Sequence, residues 1–258
     1  MKFQQIRNAT SIIEYAGKRF LIDPMLADKG SFPGFPGTMN SHQSNPLVEL
    51  PIPIDEILNV DAVIVTHTHA DHWDDAAKTL VPKDMLVFAQ NEKDAEEIRH
   101  AGFTKIRVLK ENNDFDGIKL LKTSGQHGSD KAMAAMGDIL GNVCGIVFLH
   151  PEEKTLYLAG DTTWNNHVEN SINIHKPEII IVNSGDAQIE GLGAIIMNKE
   201  DVLEVIRAAP EATIITSHME AVNHAMLSRN ELLNFLEKKG AINRVVILED
   251  GEAIHLAK

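Results

Sequence analysis

The sequence predicts a mixed α/β protein in which sheets are covered by helices. Three observations carry that expectation. Apolar runs of strand length recur from one end of the 258-residue chain to the other. Segments with helical spacing separate them. Helix start and stop signals fall at the edges of those segments.

In chain order, residues 11–15 and 18–22, hinged at Ala16-Gly17, read as a β-hairpin that ends at Asp23-Pro24. Residues 25–53 form a loop rich in Gly and Pro, including Phe32-Pro33-Gly34-Phe35-Pro36-Gly37. A loop this long usually serves as a lid or an assembly surface; a loose insertion reads equally well. Strands follow at 62–66 and 85–89, then a helix over 91–101 closed by Gly102, then strands at 106–109 and 118–123. The small-residue segment 131–142, with Met133 and Met136, reads as a cover for a substrate or as a mobile connection. Residues 145–149 and 155–159 form a hairpin around Pro151-Glu152-Glu153-Lys154. Runs 179–182 and 213–216 are continuous and apolar, as buried strands are, and each follows a helical stretch. Asn198 caps a helix that runs to Ala208 and stops before Pro210. A further helix over 229–239 closes at Gly240, and 244–256 reads as a final hairpin turning at Asp250-Gly251.

Composition narrows the function classes. Hydrophobic residues at 43% and charged residues at 24% are ordinary for a globular protein, and the length suffices for one core, so 1–258 reads as a single domain. The net charge of −13 repels phosphate backbones and anionic membranes, which argues against nucleic-acid and membrane partners and leaves a small-molecule substrate. Cys144, the only cysteine, cannot form an internal disulfide and reads as a small buried residue. The first residues lack the apolar stretch of a signal peptide, and no segment reaches the ~20 apolar residues of a membrane span. A cytoplasmic location is expected. The Pro/Gly-rich loop with its phenylalanines is a candidate contact surface for a homo-oligomer.

The chemistry is concentrated just after the run Ala62-Val63-Ile64-Val65. There His67-Thr-His69-Ala-Asp71-His72 packs three imidazoles and a carboxylate into six residues, a donor set suited to zinc or a similar divalent ion. Three later apolar runs also deliver a ligand-type residue just past their C-terminal ends: His127, Asp161 and His218. Sites built by loops at one edge of a sheet framework have this layout. Seven ligands are too many for one tetrahedral ion and suit two, with Asp161 able to bridge. A hydroxide held between two divalent ions is a nucleophile near neutral pH.

The motif, followed by His127, Asp161 and His218 in that order, resembles the metallo-β-lactamase superfamily. That resemblance implies a four-layer αββα sandwich with the metal site at one edge of the paired sheets. The opening Asn8-Ala9-Thr10-Ser11-Ile12-Ile13-Glu14-Tyr15-Ala16-Gly17-Lys18-Arg19-Phe20-Leu21-Ile22-Asp23-Pro24 resembles the branch that contains L-ascorbate-6-phosphate lactonase. The resemblance implies that His67, His69 and His127 hold one metal, that Asp71, His72 and His218 hold the other, and that Asp161 bridges them. It implies zinc in the first place, with manganese or iron as alternatives. A cysteine, common among second-metal ligands of metallo-β-lactamases proper, is absent, which argues against antibiotic hydrolysis.

The expected activity is therefore metal-dependent hydrolysis of a small ester-like, lactone or phosphorylated substrate. Asp71 would also orient the nucleophile or accept a proton. His224 reads either as a catalytic group facing the substrate or as an exposed helix histidine. Asp23 reads as a brace for the histidine loop or as a plain turn residue; Asn183 and Asp186 read as orienting groups or as turn chemistry. Asp74 and Asp75 fit the first turn of a helix. Trp73, Trp164, Phe32 and Phe35 default to packing. The rivals are a phosphodiesterase acting on a small phosphodiester and a metal-binding scaffold without turnover. A di-iron redox site is disfavoured because His69 is present.

Overall fold

The computed structural model describes residues 1–257. The chain forms two seven-stranded sheets. In spatial order the first contains β16 (Ala253–His255), β1 (Lys2–Arg7), β2 (Thr10–Tyr15), β3 (Lys18–Ile22), β4 (Ala62–Val65), β5 (Leu86–Ala89) and β6 (Lys105–Val108). The second runs β15 (Val245–Ile247), β14 (Thr213–Ser217), β11 (Ile179–Asn183), β10 (Leu156–Leu158), β9 (Cys144–Leu149), β8 (Ile118–Ser124) and β7 (Asn113–Phe115). Each sheet is antiparallel at one end and parallel at the other, from β3 to β6 in the first and from β10 through β11 and β14 to β15 in the second. A small ribbon pairs β12 (Gln188–Ile189) with β13 (Gly193–Ala194).

Period-two alternation on the central strands explains the layers. Ala62 and Ile64 of β4, and Ile179 and Ile181 of β11, point between the sheets into a core with Phe20, Phe88, Ile146 and Phe148. Their neighbours point outward. Val63 and Val65 pack with Ile57, Ala77, Ala95 and Ile98 from α1 (Ile54–Ile57), α2 (Asp75–Leu80) and α3 (Glu92–His100). Ile180 and Val182 pack with Val168, Val202, Val205, Leu232 and Leu236 from α5 (Asn166–His175), α6 (Lys199–Ala208) and α7 (Arg229–Lys239). Both sheets are thus covered on both faces, giving a four-layer αββα sandwich. Each buried Val, Leu, Ile or Phe contributes about 1.5–3 kcal/mol by leaving water.

Most local expectations hold. Asn91 and Asn198 cap α3 and α6, the latter in a capping box with Asp201, and Gly240 closes α7 in the left-handed conformation. Three readings are corrected. The amino-terminal β1 had no counterpart in the sequence reading. Residues 244–256 do not form a hairpin: β15 lies beside β14 in the second sheet, and β16 crosses to pair with β1 in the first. The turn residues at 250–251 are real, but each arm satisfies its backbone on a different sheet edge, Val245–Ile247 on Ile214–Thr216 and Ala253–His255 on Lys2–Gln4. Finally, 131–142 is mostly helical: α4 (Asp130–Leu140) is capped by Ser129 and broken at Met136, whose φ of −137° departs from the helix. Among the described residues, no helix is long and apolar enough to cross a membrane.

Candidate metal centre

The ligand-type residues leave the parallel or central strands at one edge of the sandwich and converge. His67 follows β4, His127 follows β8, Asp161 follows β10 and His218 follows β14. Three groups have donor atoms within 4.8 Å of one another: His67, His69 and His127; His67, His72 and Asp161; and Asp71, His72 and His218. Their contacts identify the facing atoms. His67 Nε2 lies 3.0 Å from His69 Nδ1. Asp161 Oδ2 lies 3.1 Å from His72 Nε2, and 3.9, 3.7 and 3.7 Å from the Nε2 atoms of His67, His127 and His218. Asp71 Oδ2 is 3.3 Å from His218 Nε2. One carboxylate oxygen therefore stands within 3.9 Å of imidazole nitrogens from all three groups.

The opposite ring nitrogens are held from outside, which fixes which nitrogen points inward. His72 Nδ1 donates to Asp23 Oδ2 at 2.9 Å, and the same carboxylate accepts from the Thr66 amide and hydroxyl, both at 2.7 Å. His127 Nδ1 donates to the Ile195 carbonyl at 2.9 Å, and His69 Nε2 donates to the Ile139 carbonyl at 3.0 Å. Asn183 Nδ2 donates to Asp161 Oδ1 at 2.6 Å, leaving Oδ2 for the centre. Asp23 and Asn183 are thus braces rather than simple turn residues. Asp186 is not: its Oδ2 accepts from Gln188, away from the ligands. Asp74 caps α2 and also accepts from the Ala27 amide, tying the start of the 25–53 loop to the histidine turn.

Electrostatics fit a cation site. Burial alone would raise the Asp161 carboxyl, but the His72 and His218 imidazoles hold it well below the usual range; Asp71 is likewise held down by His72 and His218. Burial and the adjacent His72 and His69 rings push His67 well below an ordinary imidazole. His127 falls to about 4, chiefly through burial. Ionised carboxylates beside His67 and His127 kept neutral are protonation states that divalent ions require. His72 differs: its burial is outweighed by the Asp161, Asp23 and Asp71 carboxylates, which push it well above an ordinary imidazole, so it must give up its proton to bind an ion.

Several supporting residues carried no signal in the sequence. Asn8 donates from Nδ2 to the Asp71 carbonyl, and its own carbonyl accepts from the His218 amide at 2.9 Å. His218 sits in the left-handed region at φ 60°. Its carbonyl packs so tightly on Gly185 that a Cβ there would lie 1.9 Å from the oxygen. The only sequence trace of that constraint is a glycine two residues after a buried strand.

A cavity of about 380 Å³ opens on the candidate ligands His69, Asp71, His127 and Asp161. Its remaining wall is mostly apolar: Phe35 and Pro36 from the long loop, Met136, Ile139 and Leu140 from α4, and Ile189 and Ile195. His224 also lines it, buried rather than exposed on a helix. Phe35 is a wall residue, whereas Trp73 is core. A separate polar pocket, with Gln90, Asn91, Lys93 and Asp94, reaches His67 and His69 from the other side of the α4 end.

A family model described as a beta-lactamase superfamily domain matches residues 18–219. The chain is 53% identical over 254 residues to the UPF0173 protein YddR of Bacillus subtilis (strain 168), covering 98% of this chain and 99% of that one. Among solved structures it resembles an isothiocyanate hydrolase from Delia radicum gut bacteria, with 51% identity, complete coverage of both chains and a TM-score of 0.98. It also resembles a possible metal-dependent hydrolase from Veillonella parvula DSM 2008, with 42% identity, 99% coverage of both chains and a TM-score of 0.97.

Proposed function

The chain belongs to the beta-lactamase superfamily and is a metal-dependent hydrolase, and from that premise we propose that it hydrolyses a small, uncharged, apolar electrophile, first of all an isothiocyanate. The observation that carries this reading is the cavity. Phe35, Pro36, Met136, Ile139 and Ile195 face the ligand cluster across it, and no lysine or arginine lines it. Beyond the ions themselves, the cavity offers a phosphorylated or phosphodiester substrate no cationic side chain and a mostly apolar wall, so neutral substrates are favoured over both. The 51% identical isothiocyanate hydrolase supplies the specific substrate class.

His67, His69 and His127 would hold one divalent ion, and Asp71, His72 and His218 the other, with Asp161 between them. Zinc is the leading candidate, and manganese or iron suits the same nitrogen and oxygen donors. Bound there, the ions would supply Lewis acidity and a water of lowered pKa. Asp71 also acts on the reactants, because its carboxylate lines the cavity and there orients the attacking water or takes its proton. The apolar wall excludes bulk water and directs the substrate carbon toward that edge. Addition of one water across R–N=C=S, with both protons ending on nitrogen and the C–N bond broken, yields the amine and carbonyl sulfide.

The test is turnover of benzyl isothiocyanate and of bis(p-nitrophenyl) phosphate by the zinc- and manganese-loaded protein. Release of benzylamine, lost with His69→Ala, supports the reading. Faster turnover of the phosphodiester than of the isothiocyanate would refute it.

A further inference from the structure

His224 lines the cavity beside Asp71, yet it belongs to none of the three donor groups. We propose that His224 is the substrate-binding hydrogen-bond donor of this site, its Nε2–H directed at the substrate heteroatom that gains negative charge as the neighbouring carbon is attacked. The proposal rests on the reading of the substrate as a neutral electrophile and names the group that recognises it.

Three observations support this role. First, the residue is only 5% exposed, and Nδ1 is sealed in the wall without a hydrogen-bond partner, so Nε2 is the nitrogen left to face the cavity. An N–H on Nδ1 would find no acceptor there, so the proton belongs on Nε2, where the cavity can supply one. Second, the ring is held in place. Phe35 meets it edge to face at 5.1 Å and 84°, and the His224 carbonyl accepts from the Gln188 amide at 3.0 Å. Third, the preceding residue anchors the wall. Asn223 Oδ1 accepts from the Phe35 amide and Asn45 Nδ2, and its Nδ2 donates to Thr38 Oγ1 and the Met39 carbonyl. Asn223 is thus a positioning residue that presents Phe35 and His224 together.

Burial keeps the imidazole neutral, with its pKa lowered to about 4 despite the attraction of Asp71. At neutral pH the ring therefore offers one N–H without adding a charge that would repel the cations. A fixed donor aimed at developing charge acts chiefly in the transition state.

The experiment compares wild type, His224→Phe and His224→Gln, all zinc-loaded, on benzyl isothiocyanate and on phenyl acetate, a second neutral electrophile. Metal per chain is measured by mass spectrometry. We expect His224→Phe, which keeps the ring volume, to lose about 10²- to 10³-fold in kcat with metal content unchanged. His224→Gln, which keeps an N–H, should recover to within roughly tenfold of wild type, chiefly in kcat rather than KM. The proposal is overturned if His224→Phe stays within about threefold of wild type or purifies short of metal. If wild type cleaves phenyl acetate but not the isothiocyanate, and His224→Phe loses that activity, the isothiocyanate assignment fails and the role of His224 stands. If wild type cleaves neither, both are overturned.

Discussion

The two walls of the cavity are built on opposite plans. The metal-facing wall consists of residues close behind strand ends, each ring or carboxylate braced by a neighbour: Asp23 behind His72, Asn183 behind Asp161, Ile195 behind His127. The substrate-facing wall comes from the 25–53 loop, a helix broken at Met136 and the segment carrying His224, the loop and that segment being tied by the buried Asn223. Strand ends cannot shift without disturbing two packed cores, whereas the opposite wall can change with little effect on either. On the proposed reading, metal binding therefore resides on the rigid wall, and substrate recognition, the His224 donor included, on the adaptable one.

Changes to the metal wall should have the largest effects and should register as metal loss. Asp161→Ala removes the oxygen shared by both donor clusters. Activity should fall by about 10³-fold, the upper scale for losing one preorganised electrostatic group, with metal per chain dropping to one or none by mass spectrometry. Two metals and substantial turnover in this variant would break the division between the walls. Gly185→Ala comes next, because its Cβ would meet the His218 carbonyl at 1.9 Å and must displace that ligand. It should weaken the second metal by about 10–100-fold, as loss of an outer brace does, read by competition with a chelator.

Asn223→Ala tests the other wall. It leaves the Phe35 amide and the Asn45, Thr38 and Met39 polar groups unmatched, costing about 1–3 kcal/mol. Tm should fall by several degrees and KM should rise, while chelator competition gives wild-type metal affinity. Weakened metal binding would show that the walls are mechanically coupled.

The same division governed what could be read from sequence. The convergence of the metal-facing wall was legible because its histidines and aspartates are rare residue types clustered within six positions or placed at the ends of apolar runs. Asp23 and Asn183 were visible as strand-end polar residues, but their partners lie 49 and 22 positions away, and nothing local decides between brace and turn. Gly185 and Asn8 act through backbone contacts with His218, which leave no pattern. The helix at 130–140 was obscured by small residues and Gly137, and the 244–256 arms by a turn signal that two separate sheets override. Asn223 gathers a loop from 178 or more positions away, so neither the conformation of that loop nor the burial of His224 was accessible.

The smallest effect concerns acid stability, where the walls share one physical feature. Burial lowers both His127 on the metal wall and His224 on the substrate wall to about 4, against about 6.5 for an unfolded imidazole. Between those values the unfolded chain binds the proton and the folded chain does not, so stability falls as pH falls from about 6.5 toward 4. Each such histidine contributes at most about 1.4 kcal/mol per pH unit in that window. His224→Phe deletes one of these terms, so the metal-free variant should lose less Tm than metal-free wild type between pH 7 and pH 5. Bound metal competes with protons for His127 but not for His224. The difference between variant and wild type should therefore survive metal loading, and its disappearance in the loaded protein would place His224 among the ligands.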